Sequence, residues 1–455
     1  MLFATLAASA GLPRATPPAE VGATPPETDL LYLQPASGVS AEGLAEALRV
    51  LGVEVVTAGV DGARVAVPPG AEPAALAARL AASGLARSVE GDGIVRAARE
   101  PDDPRYVEQS HYLDAIGAPQ AWARATGGGV VIAVIDTGID LAHPDLASRL
   151  FVNRGELANG RDDDANGCVD DVSGCSFVSP VTADPSCGYT TAPPHAGVQD
   201  DEGHGTFVAG IAAAAGDNGR GIAGVAWDAR LLPVKVLDCT ATGRISDAAG
   251  GIRYAARLGA DVINISFGTL TDSPVLRDAV REAQALGAVV VASAGNDGRR
   301  GVTYPARYDD VLSVAASGLQ RATGLDYRAT ATFANFGGGV DFLAPGVRVL
   351  STVPAGLCGR RGWVCGEDGP YAVASGSSFA TPVVAGAVAV MLARHPGRSP
   401  DLAVRLLLGA RGPGATVADA RVLDLGAAVE REVFTLGAPG TSRAGGGAVP
   451  GPRDD

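Results

Sequence analysis

Five short, almost wholly apolar runs constrain this chain more than any other feature: VVIAVID (130–136), LLPVKVL (231–237), DVINISF (261–267), AVVVASAG (288–295) and VLSVAA (311–316). Successive side chains of a strand point to opposite faces, so a strand with one wet face alternates polar and apolar residues. These runs do not alternate, and both faces of each need cover. Segments with helical spacing lie among them, at 204–215, 246–259, 274–286, 378–395 and 401–409. Strands separated by helices predict a three-layer α/β domain around a mainly parallel sheet, spanning about 101–430.

A smaller unit precedes it. Residues 1–28 read as a leader and a Pro-, Ala- and Thr-rich linker. From 29 to 98 the order is strand (LLYLQ), helix (AEGLAEALRVLG), two strands (VEVVTAG, ARVAVP), helix (AEPAALAARLAASG) and strand (ARSVEGDGIVRA). Leu44, Leu48 and Leu51 fall on one helical stripe. This β-α-β-β-α-β order is the split βαβ, or ferredoxin-like, α+β arrangement. A polar junction, EPDDPRY, joins the two units, and residues 431–455 form a Gly/Pro-rich tail with the composition of disorder.

The formal net charge of the 455 residues is −14, and of 36 Lys and Arg residues only Lys235 is a lysine. That balance argues against nucleic acid as a partner. No run approaches the roughly 18 apolar residues of a spanning helix, so a soluble monomer is expected. Six cysteines suit an oxidising compartment, with their pairing open. The opening MLFATLAASAGL is apolar and ends in small residues but has no basic start, which makes a poor signal peptide. A secreted or periplasmic location therefore rests on the cysteines and the precursor layout.

Three motifs carry the chemistry. VIAVIDTGID ends a buried strand in Asp136, where open α/β sheets present groups to a ligand crevice. DDEGHGTFVAG sets His204 between two glycines at a helix start, and histidine is the natural proton shuttle near neutrality. ASGSSFATPVVAG runs Ser378 into a long apolar helix whose Pro382 fits the first turn. Backbone N–H groups and the positive helix end lie beside that serine, which suits a developing oxyanion. Each motif alone also has a plain structural reading, as a turn former, a structural histidine or a helix N-cap.

Together, in the order Asp, His, Ser, these segments resemble the three signatures of subtilisin-like serine proteases, and the resemblance covers roughly 101–430. It implies that Ser378 is the nucleophile and His204 its base. Asp136 would fix the imidazole tautomer, and Asn296 in VVVASAGN would be the side-chain oxyanion donor beside the N–H of Ser378. Three positions depart from the family beside these groups: Phe207 stands where a second His is common, and Phe379 where Met is, while Ser377 replaces a Thr.

The resemblance further implies that an extended protein substrate lies as an added strand between Thr242-Gly243-Arg244 and Ser266-Phe267-Gly268. Thr303 would floor the main specificity pocket and shorten it, favouring medium apolar side chains. Structural Ca²⁺ is expected at one or two sites. Asp103, Asp145 and Asn218 match a family site. Asp162, Asp164 and Asn166 place hard oxygens at alternate positions before Gly167, as a calcium loop begins, without the final EF-hand Glu. The 29–98 unit resembles the family's inhibitory propeptide, cut off between Gly93 and Arg105. Rival readings stay open on residues alone: an acid-acting serine-carboxyl peptidase, a degenerate scaffold protein, or a ligase using the same acyl-enzyme.

Overall fold

The computed structural model describes residues 20–21, 30–59, 61–92, 99–191, 194–322, 324–366, 369–410, 416–417 and 420–431. Most of the leader, the stretch 93–98 where the cut was expected to begin, and the tail after residue 431 lie outside the described residues. The chain divides between Ile94 and Val95 into two compact units.

In the N-terminal unit, strands Leu30–Pro35, Val55–Gly59, Gly62–Ala66 and Ala86–Gly91 form an antiparallel sheet. Their spatial order is Ala86–Gly91, Leu30–Pro35, Gly62–Ala66, Val55–Gly59, and the short strand Glu20–Val21 adds in parallel at the outer edge. Helices Ala41–Val50 and Pro73–Ala82 complete the β-α-β-β-α-β sequence. The side chain of Ser40 accepts the Gly43 N–H and caps the first helix. Leu31, Leu33, Leu44, Leu48, Val65 and Val89 are fully buried in this unit's own core. Leu51 departs from the expected stripe. It stands at the C-cap, where the helix has ended, and is 45% exposed.

The large unit is built on strands β1 (Val131–Asp136), β2 (Cys175–Ser176), β3 (Arg230–Lys235), β4 (Val262–Ile265), β5 (Val289–Ser293), β6 (Leu312–Arg321), β7 (Gly324–Thr330) and β8 (Phe342–Pro345). Their order is β8-β6-β5-β4-β1-β3-β2, all neighbours parallel, with β7 antiparallel on β6. Every residue of β4, β5 and β8 is buried, as the unalternating runs required. The last strand run continues five residues beyond its expected end, because β6 leaves the core there to form a hairpin with β7. Its tip residues Gln320 and Arg321 are exposed, so the apolar signal stops before the strand does.

Helices α1 (His204–Ala213), α2 (Ile245–Arg257), α3 (Pro274–Ala285) and α4 (Ser377–Arg394) flank the sheet, α1 packed on α4 and α2 on α3. Small residues let α1 approach its neighbours: a Cβ at Gly210 would meet Thr352 Oγ1 at 2.3 Å. Among the described residues α4 is the one helix long and apolar enough to cross a membrane, and it is buried at the centre of the unit. Disulfides join Cys168 to Cys175, Cys187 to Cys239 and Cys358 to Cys365.

The fully buried Phe342 on β8 tests this packing. Phe342→Ala should lose about 3–5 kcal/mol in chemical denaturation. A loss below about 1 kcal/mol would contradict a close-packed β8.

Candidate active site

The strand order reverses direction at β1. From β1 the chain crosses to β2 at the far side of β3, comes back through β3 beside β1, then passes to β4 and continues outward on the other side. Ligand crevices of open α/β sheets form outside the carboxyl ends of strands at such a point. Asp136 ends β1, Ser266 follows the end of β4, and Asn296 follows β5.

Asp136 is fully buried. Its Oδ1 accepts the Thr137 N–H at 2.8 Å and lies 2.8 Å from His204 Nδ1. Its Oδ2 is buried without a hydrogen-bond partner among the described residues. With Nδ1 committed to the carboxylate, Nε2 is the ring nitrogen left for proton transfer. Burial of the imidazole opposes its charge. The adjacent Asp136 carboxylate, reinforced by Glu202 and Asp200, outweighs that and raises the ring to about 9.

The histidine is held by residues the sequence reading missed. The buried Asp200 accepts the Thr137 hydroxyl at 2.9 Å, the Gly203 N–H at 2.8 Å and the Thr206 N–H at 2.9 Å. Thr137 Oγ1 in turn accepts the Gly205 N–H at 2.8 Å. One carboxylate and one hydroxyl thus tie the end of β1 to the start of α1 and satisfy N–H groups that a helix start leaves open. An Asp four residues before the histidine was the available signal.

Ser378 stands in the first turn of α4 and is half-buried. Pro382 has no N–H to give the carbonyl four residues back, and that carbonyl belongs to Ser378. The Ser266 hydroxyl supplies the missing donor at 2.8 Å and ties the segment after β4 to the serine's backbone. The ring of Phe379, the next residue, lies 5.5 Å from the His204 ring, centroid to centroid, which brings the start of α4 to the imidazole. Asn296 is exposed, and its Oδ1 accepts the Ser377 N–H at 2.8 Å, which places its amide beside Ser378. The turn that carries it is fixed by Asn335, fully buried, which donates to Ala294 O at 2.9 Å and accepts the Asp297 N–H at 2.9 Å. Nothing in the local sequence around Asn335 announced that role.

Thr242, Gly243, Arg244, Phe267 and Gly268 line one groove of about 690 Å³ together with Tyr304. Thr303 is buried beside it, with its hydroxyl donated to Ser293 O at 3.0 Å. A Cβ on Gly268 would come within 2.3 Å of Thr303 Oγ1, so the threonine occupies the space beside that segment.

Both sets of acidic residues come together. Asp103 is buried. One oxygen accepts the Asp217 N–H at 2.6 Å, and the other has no partner among the described residues. Burial, with the nearby Asp145 adding, pushes it up to about 6. Asn218 donates to Asp145 at 3.4 Å. In the 152–175 segment Glu156, which the motif did not flag, joins Asp162 and Asp164, their oxygens within 4.8 Å of one another. Asn166 turns its amide N–H groups to Asp164 and Asp171, and its carbonyl oxygen accepts the Cys168 N–H.

The sequence model of the subtilase family matches residues 127–419. Thermitase of Thermoactinomyces vulgaris is 37% identical over 299 residues, 66% of this chain and 87% of thermitase. A thermophilic serine proteinase of Bacillus sp. (strain AK1) is 35% identical over 308 residues, 68% of this chain and 63% of that protein. Among solved structures, a protease from Pseudoalteromonas arctica superposes with a TM-score of 0.59 at 29% identity, covering 73% of this chain and 99% of that one. The chain belongs to the subtilase family and is a serine-type endopeptidase of the Asp-His-Ser kind.

Proposed function

We propose that the protein is a secreted or periplasmic monomeric endopeptidase that cleaves extended protein substrates through an acyl-enzyme on Ser378 and removes its own N-terminal unit. The observation that carries this reading is the 2.8 Å contact between His204 Nδ1 and the buried Asp136 carboxylate. Substrate enters as a strand between 242–244 and 266–268. The Ser378 hydroxyl attacks the scissile carbonyl as His204 Nε2 takes its proton. Asn296 Nδ2 and the Ser378 N–H receive the negative charge that forms on the carbonyl oxygen. The imidazolium gives its proton to the leaving amine, and water, deprotonated by the same ring, releases the acyl group.

The remaining parts follow from the same reading. Three disulfides suit an oxidising compartment. The N-terminal β-α-β-β-α-β unit serves as an inhibitory propeptide released between Gly93 and Arg105. Two structural Ca²⁺ sites are assigned, one to Asp103, Asp145 and Asn218, the other to Glu156, Asp162 and Asp164, with Asn166 turned as a donor to Asp164 instead of a ligand. The unpaired buried oxygen of Asp103 fits a hard cation. When bound, calcium would neutralise these carboxylates and pin the segments that carry them.

A fluorophosphonate probe should label the wild-type enzyme and not Ser378→Ala, and absence of labelling in correctly processed protein would sink the catalytic reading. Asn296→Ala should lower kcat roughly 10²–10³-fold, a magnitude established on subtilisin rather than deduced from this geometry.

The pH profile follows from the direction of the His204 shift. The proton is held more tightly than in free imidazole, and the protonated ring cannot act as a base. The acid limb of kcat/KM should therefore rise with a midpoint above the ordinary 6.5, toward about 9. An optimum in strongly acid solution would favour a serine-carboxyl mechanism instead.

A cation present at a hundred times its dissociation constant stabilises a fold by about 2.7 kcal/mol, so chelation should lower the melting temperature of the Ser378→Ala protein by several degrees. An unchanged melt would remove calcium from the account. Thr303→Gly should open the pocket and move peptide-library cleavage toward large aromatic residues before the scissile bond. An unaltered cleavage profile would place the specificity floor elsewhere.

A further inference from the structure

The two aromatic departures beside the catalytic motifs touch each other: the rings of Phe207 and Phe379 lie 4.5 Å apart, centroid to centroid. Phe379 contacts the His204 ring, and Phe207 stacks on Trp363 at 5.1 Å with planes 25° apart. An unbroken row of rings therefore runs Trp363, Phe207, Phe379, His204.

Trp363 also holds the segment leading into the histidine. Its Nε1–H donates to Glu202 O at 2.8 Å, and the Glu202 carboxylate accepts the His204 backbone N–H at 2.8 Å. Gly203, between them, has φ +111°, and a Cβ there would meet Trp363 Nε1 at 2.3 Å. Only glycine allows the indole this close while the backbone turns through the left-handed region.

The loop that carries Trp363 is built to hold it. The Cys358–Cys365 disulfide closes it. Inside, the Gly359 N–H donates to Trp363 O at 2.8 Å and the Trp363 N–H to Arg360 O at 2.9 Å. The Arg361 guanidinium donates to Cys239 O, and Cys239 is itself bonded to Cys187.

We infer that Trp363 is a positioning residue for His204: the disulfide-closed loop presses its indole on the Glu202–Gly203 turn and, through Phe207 and Phe379, on the imidazole. The ring must keep Nε2 in reach of Ser378 while Nδ1 stays on Asp136, and the row of rings limits its tilt. This inference rests on the catalytic reading proposed above.

The test uses mature enzyme with active sites counted by fluorophosphonate. Labelling of wild type at Ser378 checks the catalytic reading separately. Trp363→Ala should lower kcat per labelled site by roughly 10–100-fold, the scale of a 1 Å misplacement. KM for a short peptide anilide should stay within about threefold, since an interaction made only in the transition state is lost. Trp363→Phe, which keeps a ring on Phe207, should recover most of the rate. Cys358→Ser/Cys365→Ser should move kcat in the same direction as Trp363→Ala. The low-field proton resonance of the His204–Asp136 hydrogen bond should broaden in Trp363→Ala. If that variant does not fold, Trp363→Phe and the double serine variant carry the test through the same resonance and kcat. Wild-type kcat in the variants that fold would overturn the inference. So would a rise in KM alone, which would make Trp363 a substrate contact, or a loss that Trp363→Phe does not restore while the resonance is unchanged.

Discussion

A carboxylate buried at the end of a strand, one oxygen without a hydrogen-bond partner among the described residues, is the constraint around which the large unit is arranged. An ion taken out of water is tolerated only with close compensation. Asp136 receives it from one backbone N–H and one imidazole. The low-dielectric surroundings that make the ion costly also strengthen its pull on His204, which is why the imidazole is raised despite being buried itself. Catalytic competence and local cost have the same source. The Thr137–Asp200 network ensures that β1 and α1 cannot separate without exposing several unsatisfied groups at once.

The serine side of the cleft is held by a different device. A proline in the first turns of a buried helix deletes one backbone bond, and the freed carbonyl is bound by Ser266. Ser266 precedes Phe267 and Gly268, which line the groove, so the backbone of Ser378 and that lining segment are joined by a single hydroxyl. Further along α4, the Thr381 hydroxyl turns back to Ser377 O at 2.8 Å, so the first turn is braced on both sides of the serine.

The sheet was legible because its signal is local: a strand buried on both faces writes its burial into every residue. The residues of the site were legible because their neighbours are distinctive, with glycines flanking His204 and a Thr-Gly pair after Asp136. The parts not foreseen act across long sequence distances. Asn335 fixes a turn some forty residues before it, and Asp200 grips a strand end more than sixty residues away. Glu156 joins an acidic loop from outside its motif. Cys187 finds Cys239 rather than Cys168 or Cys175, which are nearer to it along the chain. Apart from Asp200, which stands four residues before His204, the acidic and amide side chains among these do not differ in local pattern from ordinary surface polar residues, and only the fold supplies the partner. The strand tip at Arg321 failed for the opposite reason, since an exposed hairpin leaves no apolar trace.

Phe207 and Phe379 show how this limit bears on reading departures from a family pattern. Taken along the chain they are two unrelated substitutions, 172 positions apart, each beside a catalytic motif. In space their rings are in contact, and the indole of a loop found between them in sequence closes against the first. Close-packed interiors do not accept a large ring at one position without adjustment at its neighbours. The two phenylalanines are therefore one packed unit with Trp363 rather than two separate departures. They pack against the imidazole whose Nδ1 lies 2.8 Å from the Asp136 carboxylate.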